Sequence, residues 1–185
     1  MSIDRERKVE ETFEKLVLKH YKRIFQYIYA LVNDYELSRD LTQDTFLKAY
    51  VSFKKLKNKE SFPVWLMRIA RNVSLNRLKK EHLRKMKFVS LFTKKYDREL
   101  VDYVNDPSPS LDERVKKNEE EKIVRKVLYE MPPRMKEVLV LREWEELSYE
   151  EIGKVMKISR KAVKSLIHRA RQEMKRKLER EDVFK

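Results

Sequence analysis

The sequence predicts an all-α protein: two small helical domains joined by a flexible linker, the second carrying a helix-turn-helix. Three observations lead there. Only one of the 185 residues is glycine, and the hairpin turns of β-proteins draw on glycine. Apolar residues recur at intervals of three and four along most of the chain, the period of a helix with one buried side. Helix start signals stand ahead of two such runs, at Ser148 with Glu151 three residues on, and at Ser159.

The elements follow in order. Over residues 9–33, Val9, Phe13, Leu16, Val17, Ile24, Ile28 and Leu31 make one apolar side, and Asn33-Asp34 breaks the helix. A second helix is expected over 36–56, with Leu37, Leu41, Thr45, Phe46, Ala49, Tyr50 and Phe53 inward. Residues 57–62 are a polar connector. Pro63 suits the first turn of a third helix, running to about Arg84. Its stripe is Trp65, Leu66, Ile69 and Val73, with Arg68, Arg71 and Lys79 on the other side. Residues 85–118 mix charge, isolated apolar residues and two prolines, Pro107 and Pro109. That composition reads as a linker, in which Phe88, Val89, Leu91 and Phe92 are able to dock. Another helix covers 119–130. Pro132-Pro133 stops it and starts the next, which carries Met135, Val138, Leu139 and Leu141. The expected division is a domain over 1–84, a linker over 85–118 and a domain over 119–185.

Residues 147–178 carry the most pointed pattern. Ser148 and Glu151 form an S-x-x-E capping box, and Leu147, Ile152, Val155 and Met156 give the helix behind it one apolar face. Ser159 is placed to cap a second helix. At about 100° per residue, Val163, Leu166, Ile167, Ala170 and Met174 fall on one side of it. Lys161, Lys164, Ser165, His168 and Gln172 fall on the opposite side, with Arg160, Arg169 and Arg171 on the flanks. A short helix, a turn and a basic second helix is the motif whose second helix enters the DNA major groove. The polar centre would meet base edges and the flanking arginines would meet phosphates. The plain alternative is a solvated basic helix.

Charge supports the first reading. The chain has a net charge of +14, and a strongly basic chain suits a polyanionic partner. Residues 54–80 carry nine Lys/Arg against one acid, and residues 154–177 carry ten against one. The remainder is slightly acidic, so two separate contacts with nucleic acid are expected. Other chemistry is excluded. There is no cysteine, hence no disulfide, thiolate zinc site or cysteine nucleophile. His20, His82 and His168 are far apart and show no metal spacing. One glycine cannot build a phosphate-binding loop. No cofactor, metal or catalytic set is expected, so the chain is not read as an enzyme. The charged amino terminus has no apolar signal core, and no apolar run is long enough to span a membrane. A cytoplasmic protein without membrane insertion is expected.

Two further constellations are ambiguous by themselves. Asp40, Gln43, Asp44 and Leu47 share one face of the second helix, either as a solvated stripe or as a surface for a basic partner. On the third helix, Asn72, Asn76 and Arg77 lie at the margin of the apolar stripe.

Taken in order, DLTQDTFLKAY (40–50), FPVWLMRIARNVSLNRLKK (62–80) and MPPRMKEVLVLREWEELSYEEIGKVMKISRKAVKSLIHRARQEMKRKL (131–178) resemble a bacterial RNA polymerase sigma factor of the sigma-70 superfamily. The nearest group is the small ECF (extracytoplasmic function) type, which lacks an N-terminal region 1. The resemblance covers about 140 residues. It implies that 1–84 is region 2, binding the clamp helices of core polymerase through Asp40, Gln43, Asp44 and Leu47. Region 2 would also capture the melted −10 element of promoter DNA. The connector residues Lys57, Asn58, Lys59 and Ser61 match the family's specificity loop, which holds a flipped base. Arg68, Asn72, Asn76 and Arg77 match positions near the single strand and its duplex edge. Trp65 stays a core residue. Residues 119–185 would be region 4, reading the −35 element with Arg160, Lys161, Lys164, Ser165, His168, Arg169 and Arg171, and touching the polymerase flap. An anti-sigma factor is a further implied partner, and the location implied is the bacterial cytoplasm, at the nucleoid.

The chain departs from the family pattern in three places. Lys157 stands at the turn where glycine is frequent and a left-handed backbone is wanted. Gly153 stands where alanine is preferred. Leu166 replaces a frequent arginine. A second reading is a free-standing helix-turn-helix regulator, which predicts homodimers and a palindromic site but leaves the basic segment 54–80 without a role.

Overall fold

A computed structural model describes residues 2–54, 56, 61–92 and 119–181, all helices and short turns. In chain order the helices are α1 (Ser2–Val32), α2 (Tyr35–Phe53), α3 (Phe62–Phe92), α4 (Glu119–Tyr129), α5 (Pro133–Leu139), α6 (Tyr149–Met156) and α7 (Arg160–Arg180). A π-helical turn, Val140–Trp144, continues α5.

Local chemistry sets most of these boundaries. Asn33 takes a left-handed φ of 54° and ends α1. Asp34 then caps α2 by accepting a hydrogen bond from the Leu37 amide, 2.9 Å. α2 stops at Phe53, three residues before the expected end, with the Leu56 amide turning back onto the Phe53 carbonyl, 3.0 Å. α1 begins at Ser2 rather than near residue 9.

The expected end of α3 near Arg84 is corrected: α3 continues to Phe92. Residues 85–92, KMKFVSLF, hold no proline, glycine or asparagine, so nothing in the backbone stops the helix there. Residues 93–118 lie outside the described residues.

α1, α2 and α3 pack together. Phe13 meets Tyr50 and Phe53 edge-on at 5.2 and 5.1 Å, Phe53 meets Phe62 at 5.8 Å, and Phe62 meets Trp65 at 5.6 Å. This aromatic run ties the end of α2 to the start of α3, so it fixes both ends of the connector between them. Buried hydroxyls on the same helices are satisfied locally. Thr42, Thr45 and Ser74 each donate to the carbonyl four residues back, at 2.7, 2.6 and 2.9 Å.

α4, α5 and α6 pack around α7. Pro133 opens α5 without a side-chain cap. The π-helical turn inserts one residue into the helix, and Glu146 leaves it with φ 54°. The two halves also pack on each other: α3 against α6, and α1 against α5 and the π-helical turn. One continuous apolar cluster runs through both, from Phe13 and Ile24 to Ile167 and Ala170.

Candidate nucleic-acid interface

The helix-turn-helix is assembled by backbone chemistry. The Ser148 hydroxyl accepts from the Glu151 amide at 3.3 Å, and Glu151 Oε2 accepts from the Ser148 amide at 2.8 Å. The hydrogen bonds to Ser148 hold the Glu151 carboxyl below the usual glutamate range. Ser159 caps α7 from the Ala162 amide, 3.2 Å. Between the helices, Lys157 adopts φ 56°, ψ 48°, the left-handed backbone its position called for. Its amide donates to the Gly153 carbonyl, as does the Ile158 amide at 3.1 Å. Gly153 is buried there, and a Cβ on it would stand 2.8 Å from the Ile158 carbonyl oxygen. The turn folds back so closely that no side chain fits, which is why glycine replaces alanine.

On α7, Val163, Ile167 and Ala170 are buried, while Leu166 and Met174 pack partly buried against them. Lys161, Lys164, Ser165, His168, Arg169 and Gln172 are exposed. Arg160 is exposed and pairs with Glu150 of α6 at 2.8 Å. Arg171 pairs with Glu143 at 2.7 Å. Both pairs are solvated, contribute little to stability and exchange readily for phosphate. Arg171 also lies at the edge of an apolar groove of about 800 Å³ lined by Leu128, Val140, Trp144, Met174 and Leu178. It therefore borders a different surface from Lys161 and Lys164.

On α3, Arg68, Asn72 and Asn76 are exposed at intervals of four residues and form one stripe. Arg77 is exposed beside them and pairs with Glu81 at 2.8 Å. Ser61 is exposed just ahead of α3, whereas Lys57, Asn58 and Lys59 lie outside the described residues. Asp40, Gln43, Asp44 and Leu47 are all exposed along α2. Leu47 keeps 64% of its surface in water and Val51 72%. Leu47 and Val51 line a groove of about 480 Å³ with Ile69, Asn72 and Asn76. Leu47, at one end of the acidic face of α2, thus meets Asn72 and Asn76 of the α3 stripe along one groove, a junction the sequence did not reveal. Apolar side chains exposed beside acids mark a docking surface better than a solvated stripe.

Arg71 does not join that stripe. Its side chain is 13% exposed and reaches across to α5, where Nε and Nη2 donate to Glu137 at 2.5 and 3.3 Å. The Tyr27 hydroxyl donates to the same carboxylate at 3.1 Å. Arg23 pairs with the Glu145 carboxylate and donates to the Glu145 carbonyl at 2.6 Å. Lys136 donates to the Leu31 carbonyl at 3.2 Å. Burial drives the pKa values here. It lowers the Lys136 ammonium to about 8, raises the Tyr27 hydroxyl well above its ordinary value with help from Glu137, and raises the Glu145 carboxyl against the opposing pull of Arg23. Sequence reasoning missed this network, whose members lie 66 to 122 residues apart. Among the described residues no helix is long and apolar enough to cross a membrane, and no group of three His, Asp or Glu is placed to hold a metal.

The family pattern described as sigma-70 region 2 matches residues 16–84, and that described as sigma-70, region 4 matches residues 121–174. RNA polymerase sigma factor YlaC of Bacillus subtilis is 29% identical over 92% of this chain and 94% of its own length. The RNA polymerase sigma-H factor of Pseudomonas aeruginosa is 31% identical over 92% of this chain and 88% of its own. Among solved structures, the sigma factor RpoE of Bartonella quintana, in complex with the anti-sigma factor NepR, superposes with a TM-score of 0.65. That likeness covers 95% of this chain and 99% of RpoE at 20% identity, which speaks for the fold.

Proposed function

The chain belongs to the ECF group of the sigma-70 family of RNA polymerase sigma factors, and on that premise we propose how its surfaces divide the work of promoter-directed initiation. The observation that carries the proposal is the ordered pair of matches, region 2 over 16–84 and region 4 over 121–174. A free-standing regulator would not account for the first of them. The chain acts as a specificity subunit: it brings polymerase to a promoter and performs no chemistry itself.

Residues 1–84 bind core polymerase and open the −10 element. The exposed acids Asp40 and Asp44, with Gln43 and Leu47, offer a charged and apolar face to the clamp helices. The adjoining stripe of Arg68, Asn72, Asn76 and Arg77 receives the separated strand. Lys57, Asn58, Lys59 and Ser61 supply the loop that takes an extruded base. Opening succeeds when contacts to the protein replace the stacking that extruded bases give up, about 1.4 kcal/mol per base-pair step. Residues 119–185 hold the −35 element. Lys161, Lys164, Ser165 and His168 face the bases and Arg160 and Arg169 stand at the phosphates, while Arg171, paired with Glu143 beside the apolar groove, reaches a phosphate only by exchanging that partner. Residues 85–118 serve as the linker that lets the two domains reach their separate elements. The solved relative bound to NepR supports an anti-sigma factor as a further partner. The work is done in the cytoplasm, at the nucleoid.

Run-off transcription with bacterial core polymerase, followed by mapping of start sites, tests the proposal. Asp44→Lys should weaken core binding about tenfold, ~1.4 kcal/mol. Undiminished binding would remove α2 from the polymerase interface.

A further inference from the structure

The chain has no cysteine, so its sulfur chemistry falls to methionine. The methionines are not equivalent. Met67, Met131 and Met156 keep only 2, 3 and 3% of their surface in water and belong to the apolar core. Met135 and Met174 pack partly buried against that core. Of these side chains, it is Met174 that lines the groove of about 800 Å³ between α4, the π-helical turn and α7.

The groove admits a small oxidant to the Met174 sulfur. A water molecule takes about 30 Å³, and hydrogen peroxide is about twice that size, so it enters freely. Val124, Leu128, Val140, Trp144 and Leu178 share the lining. A thioether is soft and polarisable and suits such neighbours. Its sulfoxide is polar and disrupts apolar packing. The cations on the rim are already engaged, Arg171 with Glu143 at 2.7 Å and Lys175 with Glu179 at 3.8 Å. A sulfoxide oxygen must therefore turn out to water or draw on one of these cations. In either case the side chain leaves the apolar floor, on the helix whose opposite face carries Lys161, Lys164 and His168.

We propose that Met174 is an oxidation site, through which a hydroperoxide disables the apolar surface between α4 and α7. In the step, a lone pair of the Met174 sulfur attacks one peroxide oxygen. The S–O bond forms as the O–O bond breaks, and the sulfur loses two electrons. The other peroxide oxygen takes up the proton of the transferred one and leaves as water. Methionine sulfoxide reductases return the thioether, so the state is reversible. With the surface disabled, residues 119–185 bind core polymerase less tightly. The effect on polymerase rests on the function proposed above; the oxidation does not.

The test uses the full chain, treated with hydrogen peroxide. Peptide mass spectrometry should show one oxygen gained at Met174 while Met67, Met131 and Met156 stay unmodified. The chain has two tryptophans, so in a Trp65→Phe background the emission reports Trp144, and it should move to longer wavelength on treatment. Core binding should weaken about tenfold, the loss expected when a central apolar contact of an interface is removed. In Met174→Leu, treated and untreated protein should bind core alike and show the same emission. Met174→Gln should match the oxidised parent without any peroxide. Reaction at the core methionines ahead of Met174, or a peroxide response that persists in Met174→Leu, would overturn the site. Complete oxidation of Met174 with core binding undiminished would overturn its control of the surface. Failure of the untreated parent to bind core would refute the functional proposal, while the mass spectra and the emission would still decide the oxidation.

Discussion

Gly153→Ala should destabilise the protein, although the same change in an ordinary helix stabilises it. Gly153 lies inside α6, where alanine is favoured over glycine by about 1 kcal/mol. The added Cβ would stand 2.8 Å from the Ile158 carbonyl oxygen, closer than real Cβ atoms approach. The obstacle is backbone, so it cannot swing away as a side chain tip would. Ile158 lies between the left-handed Lys157 and the α7 cap Ser159. Half an ångström of relief must therefore come from moving α7 against α6. Overpacking of this kind costs about 1–3 kcal/mol, which exceeds the propensity gain and leaves a net loss of about 1 kcal/mol. For a chain of this length that corresponds to a fall in Tm of about 2–4 °C. Thermal unfolding by circular dichroism measures it, with Lys154→Ala, an exposed position on the same helix, as the control that should be near neutral. Binding of a −35 duplex should weaken alongside, because α7 is re-aimed. A raised Tm with unchanged duplex binding would refute the reasoning and show that the turn accommodates a methyl group.

Arg160→Ala with Arg169→Ala should weaken −35 duplex binding and lower the slope of log affinity against log salt by about 2, one counterion for each phosphate no longer neutralised; an unchanged slope would place these arginines away from phosphates. Lys136→Met should stabilise the folded protein near neutral pH. The Lys136 ammonium titrates at about 8 when folded, against an ordinary 10.5, so the folded state binds fewer protons and stability rises with pH across that interval. The contribution is complete above 10.5 and gone once the pH has fallen through about 8. The shift corresponds to about 3 kcal/mol, offset in part by the missing hydrogen bond to Leu31, about 1–3 kcal/mol. Urea midpoints at pH 7 and pH 9 should therefore rise for the parent and stay level for the variant, and parallel behaviour would show that Lys136 is not desolvated.

Much of the second half was legible because its signals are local. The capping box at Ser148 and Glu151, the Ser159 cap, the left-handed Lys157 and the exposed reading face of α7 each depend on residues within a turn or two of one another. The sequence also identified Arg68, Asn72 and Asn76 as polar positions on α3, and they are exposed there. It placed Arg71 with Arg68 and Lys79 on the polar side of the helix, but Arg71 leaves that surface to meet Glu137. Nothing near Arg71 signals this, since its partner is 66 residues away. The early end assigned to α3 had a different cause. The mixed charge and the prolines of 85–118 read as a linker from its first residue, while a helix stops only where the backbone or a cap stops it.

By itself, the sequence determined the helical class, most helix boundaries, the helix-turn-helix with its basic face, and the family to which the order of motifs belongs. All of these follow from periodicity, capping and charge, which act over a few residues. The tertiary structure alone decided which faces meet. It joined Leu47 of α2 to Asn72 and Asn76 of α3 in one groove, and it buried Lys136, Glu137 and Glu145 against α1 and α3. The physical reason is that a charged residue on a helix reads as solvated unless a distant segment removes the water and supplies a partner. Only the packed chain specifies that segment.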